Sequence, residues 1–141
     1  MKNVSVLNDH SSSKQNGIGT FMRQLPGCLE GACKLHMIEF NDDVTFFEKT
    51  FADGVEYMHI PHFANVRFLV NSEISVTLLR LHIADSKDNV FIANYFPCNK
   101  LLNGIRKFFP RSKIVFVVHD QSWTARLMGN VRLFREIVSD D

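Results

Sequence analysis

The sequence has little cysteine, little proline, almost no net charge and no long apolar run: three cysteines, four prolines and a formal charge of +1 in 141 residues. Each shortage excludes something. Cys28, Cys33 and Cys98 form an odd set without CxxC spacing, which argues against a disulfide framework and a zinc knuckle and fits a reducing compartment. No stretch approaches the about 20 apolar residues of a membrane-spanning helix, and Met1 to Leu7 is too short in apolar run for a signal peptide, so a cytoplasmic chain is expected. Lys and Arg are scattered among acids, which leaves no electrostatic footprint for a nucleic-acid backbone, and nucleic acid is not an expected partner. With 45% hydrophobic and 22% charged residues, the composition is that of an ordinary globular chain, and the length fits one domain with one core.

What is present is an alternation of strand and helix patterns. Val4 to Leu7 predicts a short buried strand that runs into a polar loop from Asn8 to Asn16 containing Ser11, Ser12 and Ser13. A helix is expected from Gly17, with Ile18, Phe21, Met22 and Leu25 on one face, and Pro26 and Gly27 should kink or end it. Lys34 to Phe40 and Val44 to Phe51 read as strands, and Val55 to Ile60 as another, joined to its predecessor through Asp53-Gly54, a pair that tolerates the positive φ of a hairpin turn. A helix over Asn71 to Ala84 should bury Ile74, Leu78 and Leu81. Asn89 to Phe96 reads as a strand, and Asn99 to Phe109 as a helix that buries Leu101, Leu102, Ile105 and Phe109, exposes Lys100, Asn103 and Lys107, and stops at Pro110. Lys113 to Val118 has no polar alternation, which predicts a central strand covered on both faces. The expected fold is α/β: a Rossmann-like three-layer domain with a mainly parallel sheet and an antiparallel hairpin added at one edge.

Ligands of such sheets sit outside the carboxyl ends of the strands. After the first strand come Asn16, Gly17, Ile18 and Gly19 at the head of a helix, where glycines permit close backbone approach and unpaired N–H groups favour a phosphate. A purely structural alternative is that the glycines serve the loop-to-helix turn. After the last strand comes His119, able to hydrogen-bond a sugar hydroxyl or phosphate and to titrate near neutral pH, with Asp120 placed to orient its ring. Its structural alternative is a strand cap. Trp123 suits either closure over a sugar ring or packing in a core or domain interface.

The loop ending in Asn16-Gly17-Ile18-Gly19-Thr20, followed by Val90-Phe91-Ile92, Leu101-Leu102, Phe109-Pro110 and the run from Lys113 to Asp120, resembles the N-terminal half of retaining glycosyltransferases of GT-B architecture, the group 1, family 4-like enzymes. Asp53-Gly54-Val55 and His59-Ile60-Pro61 resemble a hairpin of those enzymes, and the similarity runs from about Asn3 to Asn130. The resemblance implies an acceptor-side domain of a two-domain enzyme whose cleft holds a nucleotide sugar as donor substrate, with no further cofactor and no metal. It places Gly17 and Gly19 near the donor diphosphate, His119 at the transferred sugar as the catalytic residue, and Asn94 and Tyr95, with Asp120 and Trp123, on the acceptor side. The family's nucleotide-binding C-terminal domain, with its paired glutamates, has no counterpart in this chain. Glu48 and Glu56 match the glutamate spacing but straddle the Asp53-Gly54 turn, so the match is read as chance. The isolated chain is therefore expected to show no transferase turnover. Sugar or lipid-linked acceptors are the expected partners. The basic run Lys100, Arg106, Lys107, Arg111 and Lys113 then has two readings, a solvated helix face or a peripheral contact with the inner face of the membrane.

Two other classes compete. A dinucleotide (NAD or FAD) binding Rossmann domain would use Gly17 and Gly19 with Glu39 on a ribose hydroxyl, but Met22 holds the third glycine position and the glycines follow the strand at a distance. A non-catalytic carbohydrate- or partner-binding module on the same scaffold is the other. The serine run near Asp9 and His10 lacks a Gly-x-Ser-x-Gly elbow, which discards a hydrolase. His36, His59, His62 and His82 give no argued metal set, and His82 reads as an ordinary hydrogen-bonded histidine on an apolar helix.

Overall fold

A computed structural model describes residues 1–9, 17–41, 44–63, 66, 68–93 and 99–117. They form β1 (Lys2–Asp9), α1 (Gly17–Leu29), β2 (Cys33–Asn41), β3 (Glu48–Ala52), β4 (Val55–Pro61), α2 (Phe68–His82), β5 (Asn89–Ala93), α3 (Asn99–Phe108) and β6 (Lys113–Phe116). The strands make one six-stranded sheet in the order β3-β4-β2-β1-β5-β6. Every neighbouring pair is parallel except β3 with β4. The fold is thus Rossmann-like α/β, with the hairpin at one edge. Its turn is Asp53-Gly54, both at positive φ (51° and 76°), the combination a two-residue hairpin loop demands.

The chain steps from β1 outward to β2, and after β4 it steps back across both to reach β5. Right-handed crossovers in opposite directions put their helices on opposite faces. Accordingly, Phe21, Leu25 and Leu29 of α1 pack with Val4, Val6, Met37 and Val55 on one face. α2 and α3 cover the other face over Leu7, Ile38, Met58, Ile60, Phe91 and Phe109. The second face is the main core: the Phe91 and Phe109 rings meet tilted by 60° with centroids 5.0 Å apart, and each fully buried side chain of that size stabilises by roughly 1.5–3 kcal/mol. Where α2 crosses α3 the helices touch closely, and a Cβ on Gly104 would lie 2.7 Å from Val76 Cγ2.

Several local expectations are corrected. Asn8, read as loop, belongs to β1. Pro26 does not end α1, which continues to Leu29 because Leu25 and Leu29 both pack on the sheet and outweigh one lost helical hydrogen bond. β3 begins at Glu48 rather than Val44, and the ring of Phe47, just before it, stacks on His82 at 4.0 Å. α2 buries Asn71, Ser75, Val76, Leu79 and Ile83 and leaves Leu81 73% exposed, so its buried face is rotated from the Ile74, Leu78 and Leu81 stripe. Small polar residues make this possible because they are satisfied internally: Ser75 Oγ donates to the Asn71 carbonyl, and Asn71 bonds both backbone groups of Phe63.

The largest correction concerns β6. It is not central but the last strand of the sheet formed by the described residues, with Val115 44% and Phe116 45% exposed. A run of β-branched apolar residues reports strand propensity as well as burial, and here only Ile114 packs against the main core.

Candidate functional site

Counting only the parallel strands, the order is β4-β2-β1-β5-β6, so the chain direction reverses between β1 and β5. In doubly wound sheets ligands sit at such a switch point, outside the carboxyl ends of the strands, where crossovers diverge to opposite faces. Here its described rim is the end of β1, the end of β5 at Ala93, and the start of α1 at Gly17-Ile18-Gly19. The first turn of α1 contains no acidic residue, so the positive end of the helix dipole is not offset there by an acid of its own. β1 and β6 are both parallel to β5, so they end at the same edge, where Val117 N donates to Ala93 O as β6 closes. Asn16, Asn94, Tyr95, His119, Asp120 and Trp123 lie outside the described residues.

One further residue at this edge escaped sequence reasoning. Asn8 is only 3% exposed, and its Oδ1 has no hydrogen-bond partner among the described residues. Val4 and Val6 face α1, so strand alternation sends Asn8 to that same face at the carboxyl end of β1. Register continues the line across the sheet: Asn8 lies beside Glu39 on β2, Glu39 beside His59 on β4, and His59 beside Glu48 on β3. His59 Nε2 and Thr50 Oγ1 are 3.0 Å apart and hydrogen-bonded, and His59 Nδ1 stands 3.6 Å from Glu39 Oε2, an electrostatic contact too long for a hydrogen bond. The sequence did carry a signal. Val4-x-Val6-x-Asn8, Leu35-x-Met37-x-Glu39 and Val55-x-Tyr57-x-His59 are three strand stripes that each turn polar at the carboxyl end.

A second polar group occupies the opposite face. His36 Nδ1 and Glu56 Oε1 are 3.0 Å apart with side chains 9% and 12% exposed, and Lys49 Nζ approaches the same carboxylate oxygen at 3.8 Å. His82, in the last turn of α2, has its pKa lowered by burial first and by Lys49 second, against an opposing pull from Glu56. His36 and His59 therefore sit on opposite faces and do not converge, and neither do Glu48 and Glu56. Glu39, the acid of the dinucleotide alternative, is at the carboxyl end of β2 and engaged with His59. Seven residues separate β1 from α1, more than the tight first turn of the dinucleotide fingerprint holds.

The basic run is divided by the fold. Lys100 and Lys107 line an open groove of about 480 Å³ between α2 and α3, where Arg80 and Lys107 lie over the Phe108 ring at 4.2 and 5.2 Å. Lys113 is paired with Val90 in register and points to the other face. No helix among the described residues is long and apolar enough to cross a membrane. Comparison with protein-family models, curated proteins and solved structures gives no match to this chain.

Proposed function

We propose that the chain is the acceptor-side domain of a glycosyltransferase that takes its sugar from a nucleotide-sugar donor. The observation that carries the reading is the strand reversal between β1 and β5, with the Gly17-Ile18-Gly19 start of α1 on its rim. A helix N-terminus without side-chain acids attracts a diphosphate, and the adjoining switch point is where a doubly wound sheet holds its ligands. In this reading His119 hydrogen-bonds the transferred sugar, Asp120 orients its ring, and Asn94, Tyr95 and Trp123 line the acceptor side. Transfer of this kind is mostly positioning and stabilisation of a departing diphosphate, and the nucleotide is gripped by a second domain. The chain alone then binds but does not turn over. A cytoplasmic setting, with sugar or lipid-linked acceptors and a peripheral membrane contact through Lys100, Arg106 and Lys107, belongs to the same proposal.

The test is a calorimetric titration with UDP-glucose, GDP-mannose and NADH, followed by a transfer assay with the second domain present. Binding of a nucleotide sugar, and turnover that depends on His119, is the expected result. Tight NADH binding without any nucleotide-sugar binding overturns the reading in favour of a dinucleotide domain.

A further inference from the structure

We propose that Asn8, Glu39 and His59 form a seat for a polyhydroxylated ligand on the α1 face of the sheet, with the buried Asn8 amide oxygen as its deepest acceptor. The proposal deepens the acceptor-side reading, on which it rests, by naming where the acceptor's hydroxyls are held.

The first support is the orphaned oxygen. Buried side-chain acceptors almost always have a partner, because leaving one unsatisfied forfeits its hydration without return. Asn8 Oδ1 has none among the described residues. A leucine of similar size would complete the stripe that Val4 and Val6 begin, so the amide is retained at the expense of stability.

The second support is the row itself. One row deeper, Val6, Met37, Tyr57 and Thr50 are aligned across the same four strands, and three of these pack beneath α1. The polar row starts where that packing ends, and it grades from buried Asn8 to Glu39 and His59, whose side chains are 22% and 19% exposed. Neighbouring strands lie about 4.8 Å apart, so the row presents polar groups at a spacing comparable to that of non-adjacent hydroxyls on one sugar ring.

The third support is the chemistry of the groups. An amide oxygen accepts and a carboxylate has several acceptor sites, while both ring nitrogens of His59 already face Thr50 and Glu39, so the complementary ligand is rich in O–H donors. A phosphate brings acceptors and does not answer Asn8. A metal ion is a poor fit, since no three His, Cys, Asp or Glu among the described residues are placed to hold one. Thr50 Oγ1, hydrogen-bonded to His59 Nε2, closes the exposed end of the row.

The experiment uses isotope-labelled protein titrated with glucose, galactose, mannose and N-acetylglucosamine, followed by backbone and side-chain amide resonances. At least one sugar is expected to shift the Asn8 side-chain amide together with the backbone of Glu39 and His59. Asn8→Leu should weaken that sugar roughly tenfold, the equivalent of one well-made hydrogen bond and its buried context. The same variant should melt higher, by about 3–5 °C. Glu39→Gln, which keeps shape, should weaken the sugar roughly fivefold. A lower melting temperature for Asn8→Leu overturns the proposal, because it means that the chain itself satisfies the oxygen. Sugar-insensitive resonances along the row, or a response to magnesium or zinc alone, also overturn it. If a sugar binds through Asn8 but the protein uses no nucleotide sugar, the seat stands and the transferase reading falls. If turnover is found while acceptor sugars leave the row unmoved, the transferase reading stands and the seat falls.

Discussion

The sheet contains two glutamate–histidine pairs that differ in every respect relevant to their role. His36 and Glu56 lie in the amino half of β2 and β4 on the α2 face, at 3.0 Å and almost fully buried. Glu39 and His59 lie at the carboxyl end of the same two strands on the α1 face, at 3.6 Å and partly open, with Thr50 on the outer ring nitrogen. The same residue types on the same strands thus give a close, buried contact that braces β2 against β4 and a longer, partly exposed one. The sheet edges repeat the difference. At the amino edge Asp85 accepts from Arg111 N and Ser112 Oγ, Asn89 Nδ2 donates to Ala84 O, and Lys2 pairs with Asp88. The carboxyl edge carries the orphaned Asn8 oxygen and the start of α1. Polar side chains at the amino edge are paired within the fold, whereas at the carboxyl edge the Asn8 oxygen has no partner among the described residues.

Substitution should separate the two. Glu56→Ala leaves His36 and Lys49 without their buried acceptor and is expected to cost about 2–3 kcal/mol in urea unfolding. Asp85→Ala removes the acceptor that ties the α3–β6 turn to the α2–β5 connection, at about 1–2 kcal/mol. Asn8→Leu should move the other way, gaining about 1 kcal/mol by removing an unsatisfied buried oxygen. Glu39→Gln should change stability by less than about 0.5 kcal/mol, since its contact with His59 is long and partly solvated. A Glu39→Gln loss as large as that of Glu56→Ala would erase the distinction.

The smallest effect is in pH. His82 is held below its ordinary value of 6.5 by burial and by Lys49, so the folded state prefers the neutral ring. Stability from this group is complete above the unfolded value and falls as pH drops below it, toward the lowered folded value. His82→Phe keeps the stack on Phe47 and should flatten the fall in thermal stability as pH drops below 6.5, whereas an unchanged slope places the titration elsewhere.

The sequence made the strand and helix alternation legible because most elements are long enough to show their period, and Asp53-Gly54 marked its turn through backbone chemistry alone. It misplaced features decided by neighbours. The apolar run of β6 has the same pattern whether the strand is central or terminal, and the sheet order that separates these cases is non-local. The buried face of α2 was hidden because Asn71, Ser72 and Ser75 are inside, and Asn71 and Ser75 are satisfied within the helix and its approach. At the candidate site, Gly17 and Gly19 were readable as glycines before a helix, but the Asn8 row was not. Its members are far apart in the chain, and only strand register aligns them.

The account stands or falls on which edge takes ligand. Hydrogen exchange measured with and without a nucleotide sugar, resolved to single amides, asks this directly. Protection should concentrate at the carboxyl edge, at the end of β1, at Gly17 to Gly19 and at Ala93, while Lys2, Asp88 and Arg111 keep their rates. Protection confined to the amino edge, or to the groove between α2 and α3, would contradict it.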